Sequence, residues 1–291
     1  MCGAPTYIAA AMHARPQAFT IGVLALVAWL AWAPAGRADN AAAEAAYDKG
    51  DYVQALTLWL AEARDGDAVA QYNVATLYRR GLGGAPNPVA AARWYRLAAE
   101  QGHLDSQTNL GRLYLSGDGL QRDPVQAADW FRRAADRDFA PAQYYLAELY
   151  RTGDGVTIDP ETAVALHRAA AEQGLPESAF QLSRMYRNGE GVARDPREAR
   201  KWLVRAAVAG MPEAAHALAG LYLSGEGEEP DLVRAYLWSA LAAQAGIADA
   251  GEMRESIAER LTPEQRDEAR RLAAESGKAL ESLDPDKATA Q

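Results

Sequence analysis

Tyr78, Tyr114, Tyr150, Tyr186 and Tyr222 stand 36 residues apart with no insertion or deletion between them. A period of that length is the mark of stacked supersecondary units, each too small to bury its own apolar face without a neighbour. The glycines keep the same step: Gly66, Gly102, Gly174, Gly210 and Gly246, with Asp138 in one member's place. Eleven residues before this column lie Ala55, Ala91, Ala127, Ala163, Ala199 and Ala235, and eight before it Leu58, Trp94, Trp130, Leu166, Trp202 and Trp238. Three before it come Ala63, Ala99, Ala135, Ala171, Ala207 and Ala243. Offsets of three, eight and eleven put these side chains on one helical face, bulky indoles beside alanines that let backbones approach.

After the glycine a second apolar stripe begins, with Val74, Leu110, Leu146, Leu182 and Leu218 eight positions on and the tyrosines at the twelfth. Each period therefore holds two helices. Between them come Gly81-Leu82-Gly83, Gly117-Asp118-Gly119, Gly153-Asp154-Gly155, Gly189-Glu190-Gly191 and Gly225-Glu226-Gly227. A glycine just past a helix suits the left-handed conformation that closes it. Asn87-Pro88, Asp123-Pro124, Asp159-Pro160 and Asp195-Pro196 follow, each a capping side chain with proline at the first helical position. Asp195 and Glu198 have capping-box spacing, as do Thr262 and Gln265.

These columns resemble the Sel-one-like repeat family, relatives of the tetratricopeptide repeats. The resemblance rests on Leu110-Gly111 with Tyr114, Gly155-Val156, Asp159, Ala91, Trp94-Tyr95, and Ala98-Ala99 with Gly102, and it covers about residues 44–276. It implies an all-α fold, a right-handed α-solenoid of helix-turn-helix repeats, and a protein or peptide partner held on the concave side by the first helix of each repeat. First helices are expected near 68–80, 104–116, 140–152, 176–188 and 212–224, preceded by a starting hairpin over 40–48 and 52–64. The solenoid is bounded at 39–261, a capping helix at 262–277 and a frayed tail at 278–291.

Residues 1–38 lie outside the period. Arg15 precedes an apolar run from Phe19 to Ala33, and Gly36-Arg37-Ala38 supplies small-x-small spacing. This reads as a secretory signal peptide cut after Ala38, placing the protein in the periplasm or outside the cell. Met12 gives a leader of ordinary length. An uncleaved anchor is the alternative, although 15 residues are short for a membrane-crossing helix. The only cysteine, Cys2, is in the leader. The chain carries a formal charge of −9; the leader holds Arg15 and Arg37 and no acid, so its removal leaves −11. Such an acidic chain argues against nucleic acid as partner, and no polybasic segment argues for a membrane surface.

Catalytic and metal signatures are missing from the pattern. His103, His167 and His216 are far apart in sequence, no Cys or carboxylate grouping has ligand spacing, and no Gly-x-Ser-x-Gly or Ser-x-x-Lys element occurs. No cofactor and no enzyme activity is expected. The alternative is a cell-wall-active or β-lactam-hydrolysing enzyme, as ascribed to some cysteine-rich relatives. What remains is a surface. Tyr72, Thr108, Tyr144, Phe180 and His216 occupy one level of the first helices, Asn73, Asn109, Tyr145 and Gln181 lie beside them, and Arg112 and Arg184 follow one turn later. Amides there would bond a peptide backbone and arginines would read carboxylates. The competing reading has Tyr72, Tyr144 and Phe180 packing against the neighbouring repeat.

Overall fold

The computed structural model describes residues 35–226 and 229–275. Among them are fourteen α-helices and no strand. α1 (Ala35–Asp48) and α2 (Tyr52–Arg64) form the starting hairpin. The repeats follow as α3 (Ala68–Arg80) with α4 (Pro88–Glu100), α5 (Leu104–Ser116) with α6 (Pro124–Ala135), and α7 (Ala140–Thr152) with α8 (Pro160–Glu172). Then come α9 (Pro176–Asn188) with α10 (Pro196–Val208), α11 (Pro212–Ser224) with α12 (Leu232–Gln244), α13 (Ala250–Arg260) and α14 (Pro263–Ala274). The first helices stand where the period puts them, and successive helices through α13 pack in chain order, making an α-solenoid of helical repeats.

The apolar run proposed as a leader, Gly227 of the fifth loop and the tail at 278–291 lie outside the described residues. At the start, α1 begins at Ala35 rather than near residue 40. At the other end, α14 packs on α12 instead of closing a hairpin with α13. Its Ala269 is buried against the end of the core while most of its other side chains face solvent. The capping box at its start is formed in full: Thr262 Oγ1 accepts from the Gln265 amide, and Gln265 Oε1 accepts from the Thr262 amide. At Asp195 only half of the expected box forms, its carboxylate accepting from the Arg197 and Glu198 amides.

The tyrosine column explains the spacing of each hairpin. The carbonyls of Tyr78, Tyr114, Tyr150, Tyr186 and Tyr222 accept from the amides of Asn87, Asp123, Asp159, Asp195 and Asp231, at 2.8–2.9 Å. Each bond closes the loop nine residues on, at the residue whose side chain caps the next helix. The same rings join repeats. The buried side chains form four clusters along the solenoid, and Tyr78, Tyr114 and Tyr150 each pack against two of them. The phenol oxygens of Tyr114 and Tyr186 also accept from the preceding repeat, from Arg96 and Arg168, both at 2.8 Å. Buried amides add a second tie, Gln71 to the Ala63 carbonyl and Gln107 to that of Ala99, capping the end of the helix before.

In the first four loops the second glycine sets how closely repeats approach. Gly155 has φ 79°, and a Cβ there would overlap the Pro124 carbonyl at the start of α6; Gly119 and Gly191 meet Pro88 and Pro160 in the same way. Gly174, φ 91°, faces open space. Asp138 is the only non-glycine with positive φ among the described residues, at 57°, in the column otherwise held by glycine.

Gly174→Ala should therefore cost about 1–2 kcal/mol for backbone conformation alone, and Gly155→Ala roughly twice that because the neighbouring repeat must also shift. Urea midpoints of the two variants measure the difference. Asp138→Gly should raise stability by about 0.5–1 kcal/mol, since glycine carries no Cβ penalty there; a midpoint at or below that of the parent chain would show that Asp138 is held by something other than backbone need.

Candidate functional site

The first helices α3, α5, α7, α9 and α11 recur along the solenoid, and between successive ones lies a side chain from the intervening second helix. Tyr95, Phe131, His167 and Leu203 hold this back position in turn, 36 residues apart. What each interval can do depends on how that side chain is covered.

Between α5 and α7, Phe131 is fully buried, and it fits because residue 111 is glycine: a Cβ there would come within 2.6 Å of its ring. Tyr145 stacks on Phe131 with centroids 5.1 Å apart and planes 15° from parallel. The Arg112 guanidinium lies 5.5 Å above the outer face of Tyr145, and its Nη1 donates to Asn109 Oδ1 at 3.4 Å. The result is a filled column of ring, ring and cation spanning two repeats.

Between α3 and α5 the back position is Tyr95, whose hydroxyl meets Thr76 Oγ1 at 3.0 Å. Tyr72 leans on Tyr95 and on His103, with centroids 5.9 and 4.9 Å away. Burial pushes the Tyr72 phenol up to about 12 and that of Tyr144 up as well, so both stay neutral near pH 7.

Between α7 and α9 a charge replaces the ring stack. His167 is fully buried, and its Nε2 donates to Glu148 Oε1 at 3.1 Å; Arg151 donates to the other oxygen at 2.8 Å. A carboxylate can only accept, which places the imidazole proton on Nε2. Burial works to raise the Glu148 pKa, but the hydrogen bonds from His167 and Arg151 prevail and hold it at about 2. Tyr144 sits edge-on to His167 and to Tyr145, at 5.7 and 5.2 Å.

Between α9 and α11 the surface opens. A cavity of about 220 Å³ is lined by Phe180, Ser183, Arg184, Arg187, Ala199, Leu203, Ala217 and Leu221.

The residues singled out in the sequence thus fall into three groups. Asn109, Arg112, Tyr144 and Tyr145 come together around the Phe131 stack. Gln181 and Arg184 are bonded to each other at 3.2 Å and stand beside Phe180 at the cavity. Tyr72 and Asn73 lie apart on α3, both half-buried. Thr108 does not point outward as its column suggests: it is buried, and its hydroxyl donates to the Leu104 carbonyl. The ring contacts of Tyr72, with Tyr95 and His103, and of Tyr144, with Tyr145 and His167, lie within their own repeats and leave each ring partly exposed. The back position went unread, although its column of Tyr95, Phe131, His167 and Leu203 was there to be aligned. Among the described residues no three His, Cys, Asp or Glu side chains converge as a metal site. Nor is any described helix long and apolar enough to cross a membrane.

The Sel1 repeat model matches residues 68–103, 104–139, 140–175, 176–210 and 212–247. A Sel1 repeat protein from Oxalobacter formigenes is similar in structure, with 27% identity and a TM-score of 0.70 over 81% of this chain and 99% of that one. So is c5321, described as a protective antigen present in uropathogenic Escherichia coli strains displaying an SLR fold, at 27% identity and a TM-score of 0.54. That alignment covers 86% of this chain, which spans 63% of the antigen. No curated protein matches the sequence.

Glu148 gives the face a measurable pH signature. Its folded pKa lies below the ordinary 4.5, so the stability it contributes is present above that value and is lost as pH falls toward about 2. Glu148→Gln should be less stable than the parent chain at pH 7 and lose less stability between pH 4.5 and 2, as followed by urea midpoints across that range. Parallel pH profiles for the two proteins would mean that the His167–Glu148–Arg151 contact contributes nothing to the fold.

Proposed function

Because this chain belongs to the Sel1 repeat family, whose members are generally protein-interaction scaffolds, we propose that it is an exported, non-enzymatic adaptor. It holds a segment of another protein along the concave groove that its first helices line. The supporting observation is the graded face itself: one wall presents in turn half-buried tyrosines, side-chain amides and arginines, and then an open apolar cavity. Asn73, Asn109 and Gln181 would meet the backbone of a bound segment, whose polar groups would otherwise lose their water partners on burial. Tyr72, Tyr144, Tyr145 and Phe180 supply apolar area, and Arg112 and Arg184 supply charge.

Export places the interaction in the bacterial envelope or beyond it. The leader ending at Ala38 supports this reading; the remainder has no cysteine, and an exported chain can do without disulfides when each hairpin is buried against its neighbours.

That absence of cysteine makes the test direct. A chain starting at residue 39 and carrying Asn109→Cys or Gln181→Cys, labelled with a thiol-linked photo-crosslinker, should join a discrete partner in envelope extract. The same label at Arg93 or Asp129, exposed on the second helices, should not. Equal crosslinking from both faces would overturn the groove. Fusing the natural leader to alkaline phosphatase tests export separately, and an inactive fusion would remove the envelope from the proposal.

A further inference from the structure

The cavity between α9 and α11 is a copy of a place that the same chain fills elsewhere. Each position around it has its counterpart 72 residues earlier in the interval between α5 and α7. There, Phe131 forms the back, Tyr145 stacks on it and Arg112 covers Tyr145. Here Leu203 stands for Phe131 and Ala217 for Tyr145, while Arg184 keeps the place of Arg112. Both rings are gone and the covering cation remains. Phe180, where the earlier interval has Thr108, walls one side, and Leu221 closes the floor with Leu203.

Two arginines mark the rim. Arg184 is exposed, and its one described hydrogen bond goes to the neutral amide of Gln181. Arg187 and Arg194 share the single carboxylate of Glu226, at 3.0 and 2.7 Å. An apolar hollow therefore opens beneath cations that, among the described residues, outnumber their paired acids, on a chain whose formal charge is −9.

We propose that this cavity receives one aromatic side chain from an acidic segment of the partner. The ring lies between Leu203 and the Arg184 guanidinium, as Tyr145 lies between Phe131 and Arg112, with its edge toward Phe180. A carboxylate beside it on the partner pairs with Arg184 or with the Arg187 pair. Cation–π contact and burial of the ring act on the same residue, so an aromatic side chain is favoured over an aliphatic one of similar size. The inference rests on the groove being a protein-binding surface and names the anchor that it takes.

The test uses a displayed library of random linear peptides selected on the chain from residue 39 onward. Recovered peptides should share a Trp, Tyr or Phe flanked by Asp or Glu. One of them, made synthetically with a fluorophore, is then titrated against the parent protein and two variants. Ala217→Tyr refills the cavity with the residue found in the sister interval, and should weaken binding at least tenfold. Arg184→Glu, an exposed change that keeps the test readable if tyrosine at 217 disturbs packing, should do the same. Replacing the peptide's aromatic residue by alanine should cause a similar loss, and that change should have little further effect in the Ala217→Tyr background. Peptides that bind the parent and both variants equally would overturn the cavity while leaving the groove standing. Failure of any peptide to bind the parent protein would overturn both.

Discussion

The solenoid depends on a single backbone hydrogen bond repeated five times: the tyrosine carbonyl at the end of one helix accepts from the amide that precedes the next. It fixes the loop at nine residues, which sets the angle of the hairpin, brings the capping carboxylate or amide into line and leaves the intervening glycines to lie against the previous repeat. Because the bond joins backbone atoms, its side chains are free to serve the neighbours. The tyrosine rings seal one cluster to the next, and arginines from the preceding helix reach the phenols of Tyr114 and Tyr186. A loop longer by one residue would break the bond and rotate every later repeat. That is the physical reason why the period contains neither insertion nor deletion.

With the loop edge held so tightly, variation is confined to the face of the first helices and to the side chains behind them. A stack of rings, a buried His–Glu–Arg contact and an open cavity occupy equivalent intervals of one scaffold. Substitution at the back position and at the two positions in front changes the chemistry of an interval without altering the pitch, since none of those residues touches the closing bond. A repeat array can thus carry a partner's pattern as a sequence of local environments, each specified by a few side chains.

Much of the fold was legible before any coordinates. The columns of tyrosine, glycine, alanine and Asp-Pro placed the helices of the five repeats because caps, turns and close contacts are local demands, and each restricts the residue type that meets it. The ends were less readable. α1 extends back to Ala35, and α14 turns onto α12. Neither is governed by the period, and a terminal helix settles on whatever apolar edge the last repeat leaves uncovered. On the candidate face, the columns told which residues stand there but not how each is engaged. Thr108 is turned inward, Arg112 is laid over Tyr145, and Glu148 is held by a histidine from another helix.

Sequence by itself determined the period, the pairing of helices, the loop chemistry and the membership of each column, since these follow from residue type and spacing along one chain. Tertiary structure alone decided which of the outward columns are spent on the protein's own packing and which stay available. That depends on three helices from two repeats meeting at one point, where a ring present at 145 and missing at 217 makes the difference between a filled wall and a cavity.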